Sequence, residues 1–197
     1  MQRAAIGFRV HSGWVAVVAV SLESGLPVIL ERRKLLLVKT FSYTFRQPYH
    51  TAAKMPLADA AQFVKGVEIE SSELCVAGIR ALEKELKPLK YKLVGAALLL
   101  ASGRELPEFE KILAAHALIH TADSELFRKS IQRACTRTKL PLTAIRERDL
   151  LATAARCLNK RPQFLINQVS ALGKSLGPPW TQDEKLATLG AWLAVAS

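Results

Sequence analysis

Cysteine is scarce in this chain. Cys75, Cys135 and Cys157 are an odd number with no C-x-x-C or other paired spacing, which argues against a disulfide framework or a zinc knuckle and fits a reducing cytoplasm. A long apolar run is also missing. The stretch after Arg3 is interrupted by Arg9 and His11, and the uninterrupted run from Trp14 to Val20 falls far short of the roughly 20 residues of a membrane span. A cytoplasmic protein without a membrane partner is the expectation. Acids are in deficit, 17 against 28 Lys and Arg, giving +11. There is no glycine-rich phosphate loop and no complete catalytic signature. What is present is apolar material: half of the 197 residues are hydrophobic. A chain of that size buries roughly 70% of its unfolded surface, which excludes disorder, collagen and coiled coil and predicts one domain over 1–197.

Between Ala5 and Lys39 the residues are β-branched and aliphatic, broken by His11-Ser12-Gly13 and Glu23-Ser24-Gly25. Three strands in an antiparallel meander follow, at 5–10, 14–22 and 27–39. Residues 40–56 lack a period and read as a surface loop. Apolar spacing predicts a helix over 57–86, bent at Gly66 or Ser71-Ser72. The run Val94–Ala101 is apolar on both faces, as in a central strand covered by helices on each side. Helices at 107–115 and 122–138 come next, separated by a break around His116 to His120. A strand at 140–145 and helices at 146–158 and 163–175 lead to a final helix to about Val195, opened by Thr181 and Glu184 at capping-box spacing.

Hairpin strands followed by strand-helix-strand units imply an α/β fold, a mixed five-stranded sheet with helices on both faces. This order over residues 5–160, with the terminal helix Asp183-Glu184-Lys185-Leu186-Ala187-Thr188-Leu189-Gly190-Ala191-Trp192, resembles the ribonuclease H-like fold of ribonuclease H, Holliday-junction resolvases and transposase cores. Pro48-Tyr49-His50 and the segment His116–Glu125 are similar to bacterial proteins of this fold without the full catalytic set. The resemblance implies carboxylates on the first strand, at the end of the fourth and on the last helix, together holding two Mg²⁺ ions for phosphodiester hydrolysis. Here the first strand reads Ile6-Gly7-Phe8-Arg9-Val10 without an acid, the fourth ends Ala101-Ser102-Gly103-Arg104 with Glu105 late, and only Asp183 and Glu184 stand where acids are implied.

Three candidate sites emerge. His116 and His120 share a face if helical, and with Asp123, Glu125 and His50 could bind a metal or orient a general base. Ala117 stands where a zincin has its glutamate. The plainer alternative makes the two histidines a helix junction and the two acids partners of a helix dipole. At the strand ends, His11, Ser12, Ser102 and Arg104, with Arg46 and His50 above them, could bind a phosphate or a carboxylate. The third candidate is the basic surface. The charge is +6 over residues 1–56, −1 over 57–90 and +6 over 91–197. Arg128, Lys129, Arg133, Arg137, Lys139, Arg146, Arg148, Arg156, Lys160 and Arg161 could follow phosphates, and Arg32, Arg33 and Lys34 add a basic strand edge. The alternative is solvated helix faces and edge charges that block aggregation. Asp183 and Glu184 are metal ligands on one view; on the other, Glu184 is a cap partner and Asp183 a favourable first-turn charge.

The leading expectation is a nucleic-acid-binding module with a degenerate nuclease site. A scaffold domain, dimeric through the edge of the third strand, ranks second. An enzyme ranks third, either a Mg²⁺-dependent nuclease using Asp183, Glu184 and Glu105 or a hydrolase built on His50, His120 and Asp123. Buried cysteines are expected throughout.

Overall fold

The computed structural model describes residues 1–101 and 105–197. Ser102 and Arg104, named above at the strand ends and as a phosphate ligand, lie outside the described residues. Strands β1 (Gln2–His11), β2 (Trp14–Glu23), β3 (Leu26–Leu36), β4 (Tyr91–Leu100) and β5 (Leu142–Arg146) form one sheet of order β3-β2-β1-β4-β5. β1 runs antiparallel to β2 and parallel to β4, β2 and β3 are antiparallel, and β4 and β5 are parallel. The helices are α1 (Tyr43–Arg46), α2 (Pro48–Ala52), α3 (Leu57–Leu86), α4 (Phe109–Leu113), α5 (His116–Arg137), α6 (Leu150–Cys157), α7 (Pro162–Leu176) and α8 (Gln182–Ala196), with a 3₁₀ turn at Glu147–Asp149 before α6.

Alternation along β1 sorts the two faces. Ile6, Phe8 and Val10 join Val15 and Val17 under α3 and α5, packed on Val76, Ile79, Leu82, Phe127 and Ile131. Ala5, with Val18, Val20 and Ala97, faces α8 through Ala187 and Ala191. Helices on both faces explain why the central strands read as continuous apolar runs. Beyond α8, Leu99 and Ile145 meet Leu150, Leu165 and Trp192.

Several local expectations need revision. The stretch 40–56 contains α1 and α2, too short to leave a periodic signature. α5 starts at His116, so no break separates His116 from His120. Burial holds for Cys75 and Cys135, whose thiols burial pushes up to about 12, but Cys157 is exposed. α3 runs unbroken through Gly66 and Ser71-Ser72, and the Ser72 hydroxyl donates to the Glu68 carbonyl at 2.9 Å, a back-bond of the kind that bends helices without ending them. A Cβ at Gly66 would meet nothing within 4 Å. Gly66→Ala should therefore stabilise the protein by about 0.5–1 kcal/mol through a less flexible unfolded chain, seen as a higher urea midpoint at unchanged slope.

Candidate functional site

The carboxyl ends of the parallel strands β1, β4 and β5 share one side of the sheet, the side on which open α/β sheets place ligands. Arg9 and His11 stand there on the α8 face of β1. A Cβ on Gly7 would lie 1.8 Å from the Ala187 carbonyl oxygen, so α8 rests directly on β1 at this point. From Ala187 to Asp183 the helix covers about 6 Å, and from Gly7 to Arg9 the strand covers about 6.6 Å. The two rises match, and the contact at Gly7 delivers Asp183 to Arg9.

The Arg9 guanidinium donates to Asp183 and, through Nε and a terminal nitrogen, to Glu147 at 3.1 and 3.3 Å. His11 Nε2 lies 3.0 Å from Asp183 Oδ2 and 3.0 Å from Arg9. Burial works against the Arg9 charge, but Glu147 and Asp183 outweigh it and hold its pKa above the ordinary value. Arg128 extends the cluster: it is buried, donates to the Leu99 carbonyl at the end of β4 (3.3 Å), and pairs with Glu125 at 3.3 Å. Desolvation pulls the Arg128 pKa down despite the attraction of Glu125 and Glu147.

Asp183 and Glu184, adjacent in sequence, do different things. Glu184 accepts from the Thr181 backbone at 2.7 Å and completes the capping box, whereas Asp183 turns inward to the arginine. The first-turn explanation holds for Glu184 and is incomplete for Asp183. Glu147 had no helical or strand period to reveal it; its one signal was its place immediately after a parallel strand.

Beside this cluster a cleft of about 280 Å³ is lined by Trp14, Ala16, Lys34, Thr181 and Asp183, among others. Its size is below the roughly 300–1,000 Å³ of small-molecule sites. The His11 and Trp14 rings stack at 4.2 Å, and Lys34 Nζ sits 4.4 Å over Trp14. A stacking platform next to basic side chains was not legible in sequence, because it is assembled across a hairpin. Neither Arg32 nor Arg33 forms an open basic edge: Arg32 donates to the Leu176 and Gly177 carbonyls at 2.8 and 2.9 Å, and Arg33 pairs with Glu85 and Glu31.

The other histidines gather elsewhere. On α5, positions 116, 120, 123 and 127 form one stripe, which places His116, His120 and Asp123 along a line ending in the buried Phe127. Two residues of helix turn about 200°, so Glu125 points away from Asp123 and serves Arg128 instead. His50, from α2, reaches Asp123 with Nδ1 2.5 Å from Oδ2. Asp123 is 1% exposed and accepts from the Tyr49 backbone at 2.7 Å. Burial raises its carboxyl above the usual range, with His50 and the Tyr49 amide working in the opposite direction. At position eight of α5, Asp123 has no role in a helix dipole. His50 therefore belongs to this group and not to the strand ends. Arg46 does lie over the strand ends, donating to the Ser12 carbonyl at 3.3 Å with its guanidinium 4.6 Å from the Phe41 ring.

The helical arginines divide. Arg133 and Arg137 pair with Glu68 and Glu73 of α3 at 2.5 and 2.6 Å, and Arg128 is enclosed. Lys129 is exposed. So are Arg146, Arg156, Lys160 and Arg161, which start next to Glu147 and follow α6 away from the carboxyl end of the sheet to the head of α7; Arg148 between them is exposed but pairs with Asp149 at 3.5 Å.

Two Mg²⁺ ions need several oxygens directed at a shared point. The donor set here does not fit them, because a guanidinium stands between Asp183 and Glu147.

No protein-family model and no curated protein matches the chain. Among solved structures, RuvC from Thermus thermophilus superposes with a TM-score of 0.52 at 11% identity, over 96% of this chain and 92% of that one. The T. thermophilus RuvC complex with a Holliday junction substrate gives 0.52 and 11%, over 97% and 91%. A Ppx/GppA family member from Aquifex aeolicus gives 0.37 at 13%, over 78% of this chain and 39% of that one. Among the described residues, no helix is long and apolar enough to cross a membrane. The sheet order, the helices on both faces and the RuvC superposition together make this a ribonuclease H-like fold.

Proposed function

We propose that the protein binds nucleic acid at the carboxyl end of its sheet without cleaving it by two-metal hydrolysis. The observation that carries this reading is Arg9, whose guanidinium joins Asp183 and Glu147 where the resembled nucleases would bring carboxylates to a metal. A cation built into the chain permanently offsets one of those two negative charges, which lessens the repulsion that would otherwise meet a phosphate backbone. Exposed Arg146 supplies charge for phosphates at this end of the sheet, Arg156, Lys160 and Arg161 continue it along α6 toward the end of α8, and the His11–Trp14 stack with Lys34 supplies a surface for an unpaired base. The solved RuvC complex holds a Holliday junction, which makes branched DNA the first ligand to try.

The test is incubation of four-way DNA junctions, duplex DNA and RNA with the protein in Mg²⁺ or Mn²⁺. All should remain intact, equally with Asp183→Ala and His120→Ala. Metal-dependent cleavage that disappears in Asp183→Ala would overturn the reading.

A further inference from the structure

We propose that His50, His116 and His120 form a zinc site that clamps α2 to α5, separate from the Arg9 cluster. Three of the four histidines in the chain meet here from two elements distant in sequence. One ring nitrogen from each lies within 4.8 Å of the others. The rings pack edge to face, with centroids 5.3 Å apart for His50 and His116, 4.4 Å for His50 and His120, and 4.5 Å for His116 and His120. The Nε2 atoms of His116 and His120 are 3.0 Å apart, close to the spacing that two ligands on one tetrahedral ion require, given zinc-nitrogen bonds of about 2.0–2.1 Å.

Support for the third ligand is built in. Asp123 holds His50 through Nδ1 and leaves Nε2 for a metal, and Asp123 is itself fixed by the Tyr49 amide. A buried carboxylate that orients a ligating imidazole from its far side is the usual second layer of a metal centre. Imidazole is a ligand for zinc and its transition-metal neighbours and not for Mg²⁺, so this site is chemically distinct from a two-metal nuclease centre. Three protein ligands leave a fourth position, and because His116 and His120 are exposed that position faces solvent, open to water or an incoming ligand.

The helix-junction explanation fails because α5 is continuous through both histidines and Asp123 is interior. What remains as a rival is a metal-free network in which one imidazole donates to the next.

The experiment uses the full chain, stripped with a chelator, titrated with Zn²⁺ by calorimetry and with Co²⁺ by visible absorption. One ion per chain is expected, with the strong d–d bands of four-coordinate Co²⁺. His116→Ala and His120→Ala, both at exposed positions, should lose binding while keeping the circular dichroism of the parent. Asp123→Asn should weaken binding by about 10–100-fold. Cys157→Ser, which removes the one exposed thiol, should change nothing. Absence of saturable binding, binding that persists in both histidine variants, or binding lost with Cys157→Ser would each overturn the proposal. Nucleic-acid binding involves other residues, so its failure or success leaves this result unaffected.

Discussion

Replacing Gly7 by valine should cost the fold about 3 kcal/mol or more, because the new side chain must displace backbone and not a flexible group. A Cβ at this position would sit 1.8 Å from the Ala187 carbonyl oxygen and 2.5 Å from its carbon. Overpacking in a core commonly costs about 1–3 kcal/mol when side chains can yield, and here a helix bonded along its length has to move. The same displacement would draw Asp183 away from Arg9, so the two effects should appear together: a lower urea midpoint and a looser N-terminus of α8 in hydrogen exchange. Gly66→Ala, the same type of change in open space, provides the contrast. Equal midpoints for the parent and Gly7→Val would show that α8 does not rest on β1 as described.

Most of the architecture was legible in the sequence because its signals are local. Glycine at 13 and 25 marked the hairpins, both with positive φ. The two-sided apolar run Val94–Ala101 marked the central strand, and Thr181 with Glu184 marked the start of α8 within one residue. The start of α5 was not legible, because His116 and His120 are indifferent helix formers and Ala115 caps without a side-chain bond, whereas its end, read at Thr138, is the observed C-cap.

The sites divide along the same line. Arg9 and Asp183 could each be singled out, one as an anomaly on the first strand and the other as an acid on the last helix. Their contact could not, because it depends on how α8 lies across β1 at a sequence separation of 174. Residue type alone suggested grouping His50 with His116, His120 and Asp123, side chains that lie together in the fold, whereas adding Glu125 ignored the helical turn between it and Asp123. Counting basic residues along α5 overstated the open charge. Whether an arginine is solvated or paired depends on the opposing helix, and α3 presents Glu68 and Glu73 to Arg133 and Arg137.

The charge that stays open makes the second large prediction. Arg146, Arg156, Lys160 and Arg161 are exposed along one stretch of chain, whereas Arg148 pairs with Asp149 at 3.5 Å. Each phosphate neutralised on duplex DNA releases counterions and adds about −0.9 to the slope of log affinity against log salt. If these four side chains each meet a phosphate, the slope is about −3.6, and affinity falls about 150-fold between 50 and 200 mM salt. Substituting Arg156, Lys160 and Arg161 by alanine should flatten the slope by about 2.7 and weaken every sequence alike. Exposed side chains carry little of the fold, so these variants should retain the parent midpoint in urea.

Nucleic-acid binding is decided by the Kd of the protein for a labelled four-way DNA junction, a duplex and a single-stranded RNA, without divalent metal, across that salt range. Binding at 50 mM salt that weakens steeply toward 200 mM, and less steeply in the triple alanine variant, is the predicted result. No binding of any of the three at low salt, or an affinity indifferent to salt, would contradict it.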